Sequence, residues 1–346
     1  MAPWPPPSLV EARAGPLPRG ERWEELVHEN RPFLFKGAAE HWPLVEAARQ
    51  SDREAADHIA SFYSGQPVVV YRAASTEGGR FAYNPDITGF NFTSAREELP
   101  HVLDEILASD GGDDTASIYI GSTDLATYFP GLDETNSLDL PGMHPQLSQG
   151  VVKSIWLGNR TTATCHYDFS HNIAVCAAGH RRFTLFPPDQ VGNLYPGPLE
   201  PTPGGQVVSM VDFANPDAER HPRFAEAWRH SETAEMEPGD VLVYPAMWWH
   251  HVEALATFNV LVNYWWNAVP GWIDSPQVTL LHAMLSLRDR PESEKAAWKE
   301  MFEYYIFGAP DLPREHLPEH IHGPLASMDE TTSRKLRALV TRKLQR

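Results

Sequence analysis

Between Val152 and Trp266 short apolar runs recur with turn residues between them, and inside most runs apolar and polar side chains alternate. A period of two is the signature of strands. Eight are expected, at 153–157, 161–168, 172–176, 181–186, 207–213, 241–244, 248–252 and 258–265, with an inserted loop at 215–223. Eight short strands at such spacing predict a barrel or sandwich, for which a double-sheet jelly roll is the natural architecture.

The flanks have a different pattern. The first 20 residues are rich in proline and predict an extended, flexible lead-in. Residues 21–116 read as an α/β segment packing on the core. Its helices are expected at 22–29, 44–50, 52–63 (with Ser51 as N-cap) and 95–108 (interrupted by Pro100), and its strands at 32–36 and 67–71. A loop with one short strand is expected at 78–89, a turn at 110–114 and a strand at 117–120. The β core is placed at 117–270. From residue 271 the period lengthens to that of helices, at 277–288, 291–307 and 331–345. This C-terminal region would either cover the core or pair two copies in a homodimer.

Composition narrows the function classes. Lys+Arg number 28 and Asp+Glu 46, a net charge of −18, so nucleic acid and anionic membrane surfaces are disfavoured partners. The two cysteines, Cys165 and Cys176, cannot build a disulfide framework, which suits a cytoplasmic protein. The N-terminus lacks the pattern of a signal peptide, and no apolar run approaches the ~20 residues needed to span a bilayer.

The chemistry concentrates in two of the expected strands. His166 and Asp168 lie two positions apart, so strand alternation turns both to one face, about 7 Å apart along the backbone. The second is the run Trp248-Trp-His-His251, in which alternation allows only one histidine inward; Val252, sharing that face with His250, favours His250 over His251. Two histidines and one carboxylate match the facial triad of non-haem Fe(II) oxygenases, although three-ligand catalytic zinc sites use the same residue types. With 16 histidines in the chain, a single H-x-D would carry little weight; the second stretch gives it meaning.

Other polar residues share these strands. Arg181 and Arg182 point to opposite faces, and whichever faces inward needs an anion. Thr162 and Thr164 share parity with His166 and would line the same cavity, while Cys165 and Tyr167 would face away. Asn263 and Trp265 share a face, where a buried amide needs hydrogen-bond partners.

These residues fall within a longer series of motifs: Ser117-Ile-Tyr-Ile120, His166-Tyr-Asp168, Gly179-His-Arg-Arg-Phe-Thr-Leu-Phe-Pro-Pro-Asp-Gln190, Leu194-Tyr-Pro-Gly197, Val211-Asp-Phe-Ala-Asn-Pro-Asp217, Pro238-Gly-Asp240, Trp248-Trp-His-His251 and Val262-Asn-Tyr-Trp265. Arg31-Pro-Phe-Leu-Phe-Lys-Gly37 and His41-Trp-Pro43 precede them. In this order they resemble the JmjC/cupin-like Fe(II)- and 2-oxoglutarate-dependent oxygenases, most of all the branch of the hypoxia-inducible-factor asparaginyl hydroxylase. The resemblance implies a double-stranded β-helix core of the jelly-roll, cupin type. It implies iron at His166, Asp168 and His250, and 2-oxoglutarate and O2 as cosubstrates. The 2-oxoglutarate pocket would be touched by Tyr119, Asn172, Asn263 and Arg181, where the branch commonly has lysine. The pocket threonine of the family falls at Ala163, leaving Thr164 as the nearest hydroxyl. The C-terminal helices would make a homodimer. The implied activity is hydroxylation of a protein side chain or small molecule; N-demethylation and a non-catalytic or zinc-dependent cupin are the alternatives. Substrate recognition is expected from residues 72–93, 125–149 and 215–230, which carry no readable motif.

Overall fold

The computed structural model describes residues 4–109, 112 and 115–345 of the chain. It divides into two compact units, residues 1–268 and 269–346. No helix among the described residues is long and apolar enough to cross a membrane.

The first unit begins with β1 (Ser8–Leu9), β2 (Glu11–Ala14), β3 (Phe33–Lys36), β4 (Val68–Ala73), β5 (Arg80–Phe81), β6 (Phe92–Glu97) and β7 (Ser117–Asp124). The core strands are β8 (Val152–Gly158), β9 (Thr162–Tyr167), β10 (His171–Ala178), β11 (Arg181–Phe186), β12 (Glu232–Met236), β13 (Val241–Tyr244), β14 (Trp249–Ala254) and β15 (Asn259–Trp266). They form a jelly roll in which the order β12-β11-β14-β9 in one sheet faces β13-β10-β15-β8 in the other. The earlier strands extend the sheets: β1 and β5 flank the first, while β2-β3 and β7-β4-β6 flank the second.

Alternation along β10 and β15 explains the layering. Ala174, Cys176 and Leu261 turn inward to meet Phe183, Leu185, Met236 and Val252 of the opposite sheet. Ile173, Val175, Val260, Val262 and Tyr264 turn outward into a second core with Trp23, Trp42 and Leu44. These strands are therefore buried on both faces, each large apolar side chain contributing about 1.5–3 kcal/mol. The β10–β11 hairpin turns at Gly179, where φ is +75° and a Cβ would lie 2.3 Å from the Phe258 carbonyl oxygen. Glycine alone satisfies both conditions, and the turn sets the register of Arg181.

Three expectations need correction. The segment 207–213 is not a strand: Val208 and Ser209 make only isolated bridges, to His166 and Pro196. The eighth core strand is instead β12, whose Glu-Thr-Ala-Glu-Met sequence has little β-propensity and is held by β11 on one side and β1 on the other. The helix expected from 95 is a strand to Glu97 followed by a helix over Leu99–Ala108, with Pro100 in its first turn, where proline's missing N–H is harmless. The lead-in, expected to be flexible, pairs through β1 with β12 and through β2 with β3. The turn expected at 110–114 lies largely outside the described residues.

The second unit carries helices at Pro276–Leu287, Glu292–Phe302 and Glu330–Leu344. The first of these has no buried residue, and Val278 (63%), Leu285 (81%), Ile306 (65%) and Phe307 (72%) are exposed apolar side chains of this unit.

The corner leading into β13 hangs on Asp240. Its buried carboxylate accepts from Gly37 N (3.0 Å) and Glu237 N (2.8 Å) and pairs with Lys36, joining the end of β3 to the Pro238-Gly-Asp240 turn. Asp240→Ala leaves two amides without an acceptor and is expected to destabilise the protein by about 2–3 kcal/mol in urea unfolding. A loss below about 0.5 kcal/mol would show that the corner holds without it.

Candidate metal centre and its cavity

β9 and β14 run antiparallel with His166 directly opposite His250, and Asp168 immediately follows β9. The two imidazoles stand 4.3 Å apart between ring centroids, and His250 Nε2 is 3.6 Å from Asp168 Oδ2. One ligand atom from each of His166, Asp168 and His250 lies within 4.8 Å of the others, a cluster that could hold a metal ion. Both histidines are held by backbone. His166 Nδ1 is 2.8 Å from Thr164 O, and His250 Nδ1 is 3.0 Å from Trp248 O. A carbonyl can only accept, so each Nδ1 carries a proton, and Nε2 is the atom left to a metal. Burial, with His166 alongside, lowers the His250 pKa to about 4, which keeps it neutral.

The carboxylate is oriented as firmly. Asp168 Oδ2 accepts from Trp265 Nε1 (3.0 Å) and from Asn172 Nδ2 (3.2 Å). Asn172 Oδ1 in turn accepts from Asn263 Nδ2 at 3.0 Å, and the buried Asn263 Oδ1 has no partner. Asn172 thus serves the Asp168 carboxylate, while Asn263 and Trp265 line the cavity. The tether from Trp265 was not anticipated; its shared parity with Asn263 was the available signal.

His251 turns the other way. It stacks on Phe213 at 4.4 Å, and burial lowers its pKa to about 3. One feature of β9 changes the reading of its threonines, of which Thr164 lines only the space adjoining the Arg181 cavity and Thr162 lines neither. The β9–β14 ladder shifts register, so that Val252 pairs with Ala163, and Thr164 and Cys165 together lie opposite the single residue His251. That bulge reverses parity upstream of His166. Ala163, not Thr162 or Thr164, lines the cavity containing Arg181, and the Thr164 hydroxyl donates to Phe81 O at 2.8 Å.

The cavity has a volume of about 320 Å³. His166, Asp168 and His250 line it, and Phe183, Val252 and Leu261 give apolar walls. Arg181, 3% exposed, also lines it, and its Nε and Nη2 are buried without any hydrogen-bond partner. Arg182 takes the opposite face and pairs with Glu235 (2.9 Å) and Glu253 (3.5 Å). Burial pulls the Arg181 pKa below its ordinary value, and pushes that of Tyr119 on the same wall up to about 12, leaving a neutral phenol donor. A buried cation without a counter-charge is unstable unless an anion joins it. An adjoining lobe of about 230 Å³ shares His166 and is walled by Tyr71, Phe81, Phe92, Tyr119 and Trp156. Of the segments expected to recognise substrate, 72–93 supplies Phe81 and Phe92 to the adjoining lobe alone, whereas 125–149 and 215–230 line neither space.

A family model described as a cupin-like domain matches residues 18–271. The chain belongs to that cupin-like family. Its match takes in the whole jelly roll and both strands of the His/Asp/His cluster. Human HSPB1-associated protein 1 is 36% identical over 118 residues, covering 34% of this chain and 24% of that protein. Chicken tRNA wybutosine-synthesizing protein 5 is 36% identical over 106 residues, 31% of this chain and 30% of that protein. Lysine-specific demethylase JMJ31 of Arabidopsis thaliana is 28% identical over 116 residues, 33% of this chain and 21% of that protein. The chain spans about a quarter of the length of the first of these relatives.

Titration with Mn(II), a redox-quiet probe, tests the centre by calorimetry. His166→Ala, Asp168→Ala and His250→Ala are each expected to abolish tight binding, and His251→Ala to retain it. Trp265→Phe should weaken binding about 10-fold by freeing the carboxylate. Loss in His251→Ala with retention in His250→Ala would reverse the assignment.

Proposed function

We propose that the protein is an Fe(II)- and 2-oxoglutarate-dependent oxygenase that hydroxylates a protein side chain or a small molecule, with release of succinate and CO2. The observation that carries this reading is the unpaired Arg181 guanidinium in the same cavity as the His166, Asp168 and His250 cluster. The donor set of two imidazoles and one carboxylate suits ferrous iron and leaves coordination positions open. A dicarboxylate answers the need of Arg181, since guanidinium is the preferred forked partner of a carboxylate. Bound iron with the 2-oxo acid would couple oxidative decarboxylation of the cosubstrate to oxidation of a substrate C–H bond.

The chain's own residues do the positioning. Arg181 and the Tyr119 phenol would hold the distal carboxylate, and Phe183, Val252 and Leu261 keep that end of the cavity apolar, which strengthens the ion pair. Asn172 and Trp265 fix Asp168, and the Thr164 and Trp248 carbonyls fix the imidazole tautomers. Such fixing matters because a misplacement of about 1 Å can reduce the rate roughly 100-fold.

A second reading, oxidative N-demethylation, is favoured by the aromatic lobe beside His166, whose tyrosine, phenylalanine and tryptophan faces suit a methylammonium group. One relative is named as a lysine-specific demethylase. Another relative's name refers to tRNA, but the net charge of −18 here disfavours a polyanionic substrate. A second copy of the chain is the proposed partner of the helix over Pro276–Leu287, because its apolar side chains are exposed and none is buried.

Anaerobic addition of 2-oxoglutarate to the Fe(II)-loaded protein is expected to raise a weak visible charge-transfer band, lost in Asp168→Ala. No band, with zinc tightly retained instead, would sink the oxygenase reading; formaldehyde among the products would favour demethylation. Arg181→Met should abolish 2-oxoglutarate binding yet raise the stability of the ligand-free protein by about 1–4 kcal/mol, since it removes a buried unpaired charge. Destabilisation by that substitution would show that the guanidinium serves the fold. In light scattering the chain should elute at twice its mass, and Leu285→Glu should halve it; an unchanged mass would exclude this helix as the contact.

A further inference from the structure

The cavity contains a second phenol that neither the triad nor the arginine explains. Tyr244 ends β13, opposite Asn172 of β10, and is 4% exposed. It turns between the two sheets with Leu242, against Phe183 (6.0 Å between ring centroids) and against the His250 ring at 4.9 Å. It lines the same cavity as Asp168, Arg181 and Ala163. Burial holds it protonated. No side chain or carbonyl among the described residues accepts its proton. The Tyr244 residue is buried yet lines the cavity, so its unpartnered hydroxyl is open to a group that arrives there.

The opposite wall shows what that group lacks. The bulge in β9 turns the methyl of Ala163 to the cavity, and the neighbouring Thr164 hydroxyl is engaged by Phe81 O. That part of β9 therefore offers no hydrogen-bond donor to an anion beside Arg181. A carboxylate has about four acceptor sites, more than one guanidinium face fills.

Resting on the oxygenase reading, we infer that Tyr244 is a cosubstrate-positioning residue: its phenol donates to an oxygen of the bound 2-oxo diacid, supplying from β13 the hydroxyl that Ala163 cannot supply from β9. The arrangement exchanges a short hydroxyl on one sheet for a long one on the facing sheet, within the same cavity.

The test is calorimetric titration of 2-oxoglutarate into the Mn(II)-loaded full chain, with Mn(II) affinity measured separately. Tyr244→Phe removes the hydroxyl and keeps the ring, and is expected to weaken 2-oxoglutarate about 10-fold while leaving Mn(II) affinity unchanged. Ala163→Thr in the Tyr244→Phe background should recover part of that loss. Equal 2-oxoglutarate affinity in Tyr244→Phe overturns the inference, and so does a parallel loss of Mn(II) affinity, which would mark a packing role for the ring. Failure of the unmodified Mn(II)-loaded protein to bind 2-oxoglutarate overturns the oxygenase reading itself, and this inference falls with it.

Discussion

The antiparallel pairing of β9 with β14 is the constraint on which the site depends. It sets His166 opposite His250 and delivers Asp168 just past the strand end. Side chains alternate with a period of two, so a slip of one residue would turn His251 to the cavity in place of His250 and disperse the cluster. The register is fixed by both cores at once. Val252 packs inward with Phe183, and Trp249 packs outward with Phe186 and Leu194. Neither set tolerates exchange with the other, because one belongs between the sheets and the other beneath the segment that follows β11.

The cavity is kept polar at a cost to the fold. The Arg181 guanidinium, whose buried Nε and Nη2 have no partner, a lone amide oxygen on Asn263 and the phenol of Tyr244 all lie along one cavity. Interiors of folded proteins avoid such groups unless something satisfies them. Their convergence beside two imidazoles and a carboxylate suits an anion that completes the interior when it binds. Stability and ligand recognition therefore pull in opposite directions at Arg181, where a methionine would suit the empty protein better and the ligand worse.

The sequence and the structure agree best where pattern and burial coincide. Seven of the eight core strands were legible because they are short runs of apolar, mostly β-branched or aromatic residues, most of them bounded by turn residues. β12 was not, since Glu232, Thr233 and Glu235 look like surface residues and only pairing with β11 and β1 makes them a strand. The segment 207–213 misled for the converse reason: it has strand-like residues but finds only single bridges where it crosses His166 and Pro196. At Pro100 the chain changes from strand to helix, and a helical period drawn across it merged two elements.

By itself the sequence determined the jelly roll, the His166-x-Asp168 pair and the inward choice of His250, because these follow from local periodicity and spacing along single strands. It also carried the family resemblance, whose motifs keep their order however the chain is folded. Only the tertiary structure decided which arginine was left unpaired, which residue of β9 faced the cavity and which donors held Asp168. The physical reason is that each of these depends on a neighbour far along the chain: Glu235 and Glu253 claim Arg182, the shift against β14 turns Ala163 inward, and Trp265 reaches Asp168 across the barrel. The Tyr244 phenol belongs with them, since a strand buried on both faces gives no polar alternation from which its direction could be read.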